Sequence, residues 1–415
     1  MTIFNPNTLR DITQQFSTPI WIYDAATIRQ KIQQLREFDV IRFAQKACSN
    51  THILRLMREE GVMVDAVSAG EIERSLAAGY SNSENPESIV FTADLIDHET
   101  LELVVQHAIP VNVGSMDMLH RIAEVAPHHP VWLRVNPGFG HGHSEKTNTG
   151  GPNSKHGISL EDLPQTVALI QQYGLDLIGI HMHIGSGSDL EHLSQACQAM
   201  VEVVTFANVD IRAISAGGGL PTPYSKNDSE LDTNTFFYLW DEARKKIEAH
   251  LGHAIKLEVE PGRFLVANAG ALVSEIHCLK STAQHHFVLV DAGFNDLLRP
   301  SMYGSYHNIE VVHQVINPQH ASTLSDELEY AVAGPLCESG DVFTQDANGV
   351  ICHQTLDHPR VGDLLVFNDV GAYGASMSSN YNSRPLAPEV LIDQGQCRLI
   401  RKRQVINDLL ALEVI

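Results

Sequence analysis

No uninterrupted apolar run in the 415-residue chain approaches the ~20 residues that a helix needs to cross a bilayer, so no membrane-spanning role is expected. Basic residues are scarce: 28 Lys and Arg stand against 50 Asp and Glu, a formal net charge of −22. Such a surface repels polyanions, which argues against nucleic acid or an anionic membrane as the main partner. Cysteine is sparse as well. Cys48, Cys197, Cys278, Cys337, Cys352 and Cys397 show no paired spacing, so neither a disulfide framework nor a zinc knuckle is expected, and the thiols read as reduced. The opening segment, MTIFNPNTLRDITQQFSTP, lacks the basic region and apolar core of a secretion signal, and a cytoplasmic location is the expectation. What remains is ordinary for a globular protein: 43% hydrophobic and 19% charged residues, in a chain long enough for two domains.

From Val40 to Arg263 short apolar runs alternate with stretches of helical period, as parallel sheets built from βα units require. Eight strand candidates can be read: VIRFAQKA, VMVDAVS, IVFTAD, PVNVGS, VWLRVNP, LIGIHMHIG, IRAISAGGG and IKLEVEPG. A helix is expected over Gly70 to Ala78, with Ser68 and Glu71 at capping-box spacing and Gly79 as its stop. Eight repeats predict an α/β fold, a closed (β/α)8 TIM-like barrel. The rival open sheet would carry a glycine-rich dinucleotide loop after its first strand, and QKACSN contains no glycine.

After Arg263 the segments HHFVLVDAG, EYAVAGPL, DLLVFNDVG and EVLIDQGQCRLI predict a mostly β C-terminal domain. TPIWIYD, upstream of the barrel, is expected to cross over and pair within it. The boundaries drawn are 27–268 for the barrel, with 1–26 and 269–415 forming the β-rich domain. The loop GFGHGHSEKTNTGGPNSKHG, residues 138 to 157, is too polar for a core element and is expected to be functional.

In a (β/α)8 barrel the active site lies at the carboxyl ends of the strands, and the loops after the last two commonly hold a phosphate. Lys46 ends the first expected strand, His183 the sixth, Gly217, Gly218 and Gly219 the seventh, and Glu260 the eighth. A lysine amine sheltered from water becomes a nucleophile toward an aldehyde, although a strand-end lysine more often simply reaches solvent. The glycine triplet is a turn by default, yet at this strand its bare amides suit a phosphate, with Ser186 and Gly187 placed to add a hydroxyl and an amide. His181 and His183 alternate along a strand, so a zinc pair stays open, with His141, His143 and His156 in the long loop; no third ligand of convincing spacing follows, and no metal is expected. Glu260 alone would be a solvated acid. Together, lysine for an aldehyde, glycines for a phosphate, glutamate for a ring nitrogen and histidine for a ring face describe a site for pyridoxal 5'-phosphate (PLP).

The sequence also resembles the PLP-dependent diaminopimelate decarboxylases, of the barrel-plus-β-domain class that includes alanine racemase and ornithine decarboxylase. The likeness runs nearly end to end through FAQKACSN, VSAGEIERSLAAGY, FTAD, HMHIGSGSD, SAGGGLPTPY, EPGRFLV, DAGFNDLLRPSMYGSYH, GPLCESGDVF and GAYGASMSSNYNSRPLAPEVL. The long loop is similar to that of enterobacterial members. The resemblance implies that Lys46 carries the cofactor, His183 stacks on its ring and Glu260 pairs with its nitrogen. It places Ser186, Gly219, Gly262, Arg263 and Tyr373 around the phosphate or its neighbourhood. Arg263, Arg299, Tyr303 and Tyr373 would hold the substrate. Cys337 and Glu338 would reach the site from the partner subunit of a head-to-tail homodimer, Glu338 with Arg299 at the substrate's distal end, and either Cys337 or a proton relay including Lys46 would be the proton donor. Without the resemblance, Cys337 reads as a small buried thiol and Arg299, beside Pro300, as a surface residue. The implied activity is release of CO2 from meso-diaminopimelate to give L-lysine, the last step of lysine biosynthesis. The alternatives are a decarboxylase of ornithine or arginine, or a non-catalytic PLP-binding regulatory homologue.

Overall fold

The computed structural model describes residues 2–140, 150–151, 153–183, 185, 190–225, 227–314 and 328–414. The chain divides into two compact units, residues 29–222 with 230–265, and residues 1–28, 223–229 and 266–415. Strand β1 (Ile20–Asp24) belongs to the second. In the first unit β2 (Val40–Ala44), β3 (Met63–Ala66), β4 (Ile89–Thr92), β5 (Val111–Val113), β6 (Pro130–Asn136), β8 (Asp176–His181), β9 (Ala213–Ser215) and β10 (Lys256–Val259) run parallel, with a short β7 (Ile158–Ser159) beside β6 alone. Their order, β5-β4-β3-β2-β10-β9-β8-β6, closes through a further pairing of β5 with β6. All eight expected strands are present and the barrel is closed.

Local chemistry explains the elements. The expected helix covers Ala69–Ala77; Ser68 Oγ accepts the amide of Glu71 at 3.2 Å, while the Glu71 carboxylate accepts from Val67 N at 2.9 Å, one residue before the expected capping-box partner. Across the seam between β2 and β10, Arg42 donates to Glu258 Oε2 from Nε at 3.1 Å and from Nη2 at 2.8 Å, and to the carbonyl of Glu87 at 2.7 Å. Both side chains are buried. Val90, Trp132, Ile178 and Ala213 pack as one apolar cluster in the barrel unit.

The second unit is a sheet of β11 (Gly270–Ser281), β12 (His286–Val290), β13 (Ile309–Val312), β14 (Glu329–Ala333), β15 (Gln354–Thr355), β16 (Leu364–Phe367), β17 (Glu389–Asp393) and β18 (Gln396–Arg401), together with β1. β1 lies antiparallel to β11 (Ile20 opposite Val273) and parallel to β17 (Ile22 opposite Val390), so TPIWIYD crosses over as expected. The helix Pro6–Phe16 is capped by the Asn5 side chain and buries Leu9 and Ile12. These two pack with Ile20, Ile22, Val273 and Val366 into the core of this unit. The longest strand, β11, is absent from the sequence reading; its polar and apolar residues mix without a clean alternation. Among the described residues no helix is long and apolar enough to cross a membrane.

Candidate active site

At the carboxyl end of β2 the chain tightens into a 3₁₀ turn, Gln45–Ala47, so Lys46 sits on a turn rather than in the strand read from VIRFAQKA. Gln45 is the reason. Its amide donates to the Glu71 carbonyl at 3.1 Å and to Ser75 Oγ at 2.8 Å, pinning the turn to the neighbouring helix and leaving Lys46 exposed at the rim, not sheltered as the sequence reading supposed. Buried Asp65, on β3, and Glu71 both feel the charge of Lys46. Burial first, and then the charge of Glu260, push the Asp65 carboxyl well above its usual range.

Glu260 is 8% exposed, not a solvated acid. His181 Nε2 donates to its Oε2 at 2.8 Å and Ser215 Oγ to its Oε1 at 2.9 Å. Burial favours the neutral acid, but the His181 contact, the charge of Arg42 and the Ser215 bond outweigh it and lower the carboxyl to about 2. Strand β8 ends on His181, which is buried and bonds Glu260. His183 lies beyond the strand end, partly exposed. Burial, then the charges of Arg134 and Lys46, hold its imidazole well below its usual pKa and so neutral. A flat neutral ring is what stacking needs. Among the described residues no group of three His, Cys, Asp or Glu could hold a metal ion.

The glycines close the rim. A Cβ on Gly217 would lie 2.5 Å from Met182 O, on Gly218 2.6 Å from Glu260 O, and on Gly219 2.1 Å from Gly185 O, with His183 against all three. Gly217 (φ +62°) and Gly219 (φ +93°) take the left-handed conformation open to glycine. Gly262 packs on Ala44 and Ala47, where a Cβ would meet atoms at 3.2–3.4 Å, and Arg263, half-buried, starts the helix that follows. The turn of Lys46 and the ends of β8, β9 and β10 are thus one contiguous surface. Ser186 and Gly187 lie outside the described residues, as do His141 and His143; His156 bonds Asp94. Sequence reasoning missed Asp65, Arg134 and Ser215, and it singled out His181 only as half of a possible zinc pair, not as the partner of Glu260. All four belong to strands, His181 and Ser215 as the last residues of theirs, where only the inward face of a barrel distinguishes them from core.

In the second unit Arg299 is 7% exposed, against its reading as a surface residue from sequence alone, and it opens the helix Arg299–Tyr303, with Tyr303 half-buried. Cys337 is exposed rather than buried, as is Glu338. Their loop is held by Asp341, which accepts the amides of Leu336 and Phe294, each at 2.7 Å, and by Asn382 Oδ1, which accepts from Cys337 N at 3.3 Å. Tyr381 donates its hydroxyl to Glu338 and stacks on Phe294 with centroids 5.5 Å apart. Tyr373, half-buried, takes a left-handed φ of 56°, an uncommon state for a non-glycine residue, in a segment locked where a Cβ on Gly374 would lie 2.6 Å from the Trp21 ring.

One barrel rim thus bears a lysine, three glycines and a buried glutamate. The sequence matches the family model described as "Pyridoxal-dependent decarboxylase, pyridoxal binding domain" over residues 25–267. It is 59% identical to the diaminopimelate decarboxylase of Escherichia coli strain K12 over 99% of this chain and 96% of that protein. The diaminopimelate decarboxylase of Streptomyces coelicolor is also 59% identical, over 96% of this chain and 90% of that one. A crystal structure of a diaminopimelate decarboxylase superposes with a TM-score of 0.93 at 58% identity, covering 98% of this chain and 96% of the other. The chain belongs to the diaminopimelate decarboxylase family of PLP-dependent decarboxylases.

Proposed function

We propose that the protein removes one carboxylate of meso-diaminopimelate as CO2 and leaves L-lysine, and that it does so in the cytoplasm as a homodimer with shared active sites. The observation that carries the reaction class is the pairing of an ionised, buried Glu260 with the Lys46 turn and the Gly217–Gly219 cradle on one rim. Membership of the family carries the substrate.

The residues present fit PLP. The glycine amides suit its phosphate, with Ser186, Gly262, Arg263 and Tyr373 assigned to the same group or its neighbourhood. Lys46 Nζ suits its aldehyde, His183 its ring face and Glu260 its ring nitrogen. When bound, a protonated pyridinium ring accepts the electron pair left behind by the departing carboxylate. Glu260 holds the proton on that nitrogen, and it does so at neutral pH because His181 and Ser215 keep it ionised. Lys46 anchors the cofactor between turnovers. The substrate carries an amino-acid group at each end, so its distal end needs a cation and an anion; Arg299 and Glu338 fill those roles, with Tyr303 and Tyr373 beside them. Cys337, from the partner subunit, returns a proton to the carbon that lost CO2.

Decarboxylases of ornithine or arginine act on substrates without a distal carboxylate, which would gain no charge-assisted bond from Arg299. The PLP-loaded protein should therefore release CO2 from meso-diaminopimelate, with L-lysine accumulating in equal amount, and essentially none from ornithine, arginine or lysine presented separately. Faster CO2 release from ornithine or arginine would replace the substrate assignment, and release from none would make the protein a non-catalytic binder.

A further inference from the structure

Arg299 is buried, and a buried guanidinium is oriented by whatever accepts its hydrogens. Its Nη1 donates to Tyr224 Oη and to His307 Nε2, each at 3.2 Å. Its Cζ lies 5.1 Å from the centroid of the Tyr224 ring, which meets the His307 ring edge-on with centroids 5.4 Å apart at 88°. His307 is 2% exposed, and its Nδ1 lies 3.3 Å from the carbonyl oxygen of Asn368. A carbonyl only accepts, so Nδ1 carries the hydrogen; an arginine only donates, so Nε2 presents its lone pair. Both demands select the same neutral tautomer. A phenol oxygen and a neutral imidazole nitrogen both accept here, so these two partners fix the direction of the Arg299 guanidinium.

We propose that Tyr224 and His307 are positioning residues that aim Arg299 at the distal carboxylate of the substrate, and so set the preference for ligands that carry one. The proposal rests on the reading of Arg299 as the partner of that carboxylate. Arginine recognises a carboxylate through a planar fork, and a fork held in place before binding loses less entropy when it engages. Tyr224 supplies a face and an acceptor; His307 supplies a second acceptor whose own orientation is set by Asn368. A substrate end without a carboxylate gains nothing from the arrangement.

The test uses the holoenzyme, with meso-diaminopimelate as substrate and two competing ligands. L-lysine keeps the distal amino-acid group, whereas 1,5-diaminopentane lacks the carboxylate. His307→Ala should raise KM for meso-diaminopimelate and Ki for L-lysine about tenfold, with a smaller change in kcat and in Ki for the diamine. His307→Gln, whose amide oxygen can accept from Arg299, should recover most of the loss. Tyr224→Phe, which keeps the ring and removes only the hydroxyl, should give a smaller loss with the same selectivity, and it reports on the proposal should His307→Ala not fold. Arg299→Ala separates the two levels of the argument. If it leaves the preference for L-lysine over the diamine intact, the assignment of Arg299 itself fails. If it abolishes that preference while His307→Ala or Tyr224→Phe weakens both ligands equally or neither, Arg299 stands, and the positioning role is overturned.

Discussion

At Glu260 the His181 contact, the charge of Arg42 and the Ser215 bond reverse what burial alone dictates, whereas at Asp296 burial prevails. Asp296 is 1% exposed, and although its Oδ2 accepts the amide of Gly293 at 3.1 Å, burial lifts its carboxyl from 3.8 to about 6. Between those values the folded protein holds a proton that the unfolded chain has released. Stability from this group is therefore full below pH 4 and lost as pH rises through about 6, by at most about 3 kcal/mol. Asp296→Asn, whose side-chain oxygen can still accept from Gly293, should flatten the fall in Tm between pH 4 and pH 7; an unchanged slope would mean that Asp296 does not titrate in this way. At this scale the sequence was informative about charge-bearing residues at strand ends and silent about those within strands. Lys46, His183 and Glu260 stood out because a barrel puts its chemistry at one rim. Asp65 and Arg134 did not, because facing the barrel interior is a property of the closed sheet. Arg299 and Cys337 were misjudged from local context, since neither proline neighbours nor thiol chemistry reports whether a loop is covered.

Single elements show where local patterning suffices and where it does not. Strand β8 carries Gly179 opposite Trp132, and a Cβ there would lie 2.2 Å from the Ala213 carbonyl and 2.7 Å from the Trp132 ring. The glycine is required by this close approach of the two neighbouring strands, not by an unusual backbone angle. Gly179→Ala should cost about 1–3 kcal/mol, read as a lowered midpoint in denaturant unfolding. Adding Trp132→Leu should restore little, because the Ala213 carbonyl is backbone and cannot be trimmed. Full recovery in the double variant would show that the indole alone was the obstacle. The eight barrel strands were legible since each is a short apolar run bounded by helical periods. In the second unit β1 was legible as a strand, while its place between β11 and β17 depends on pairings more than 240 residues apart along the chain. β11 escaped notice because one end is buried and the other exposed, which erases a single alternation.

For the whole molecule, the functional proposal requires Lys46 and Cys337 to act on one substrate while belonging to different subunits. Lys46→Ala and Cys337→Ala should each be nearly inactive as homodimers, the first without an anchor for the cofactor and the second without a proton donor. If the two are mixed, dissociated and reassembled at random, half of the dimers become mixed, and each mixed dimer holds one site with both residues intact and one with neither. Two-fold symmetry then sets the recovery at about a quarter of all sites. The measurement is CO2 release from meso-diaminopimelate by the reassembled mixture, with mass spectrometry confirming that mixed dimers formed. Activity near a quarter of the wild-type value is the expected result, and no recovery despite confirmed mixed dimers would mean that Lys46 and Cys337 do not meet across a subunit boundary.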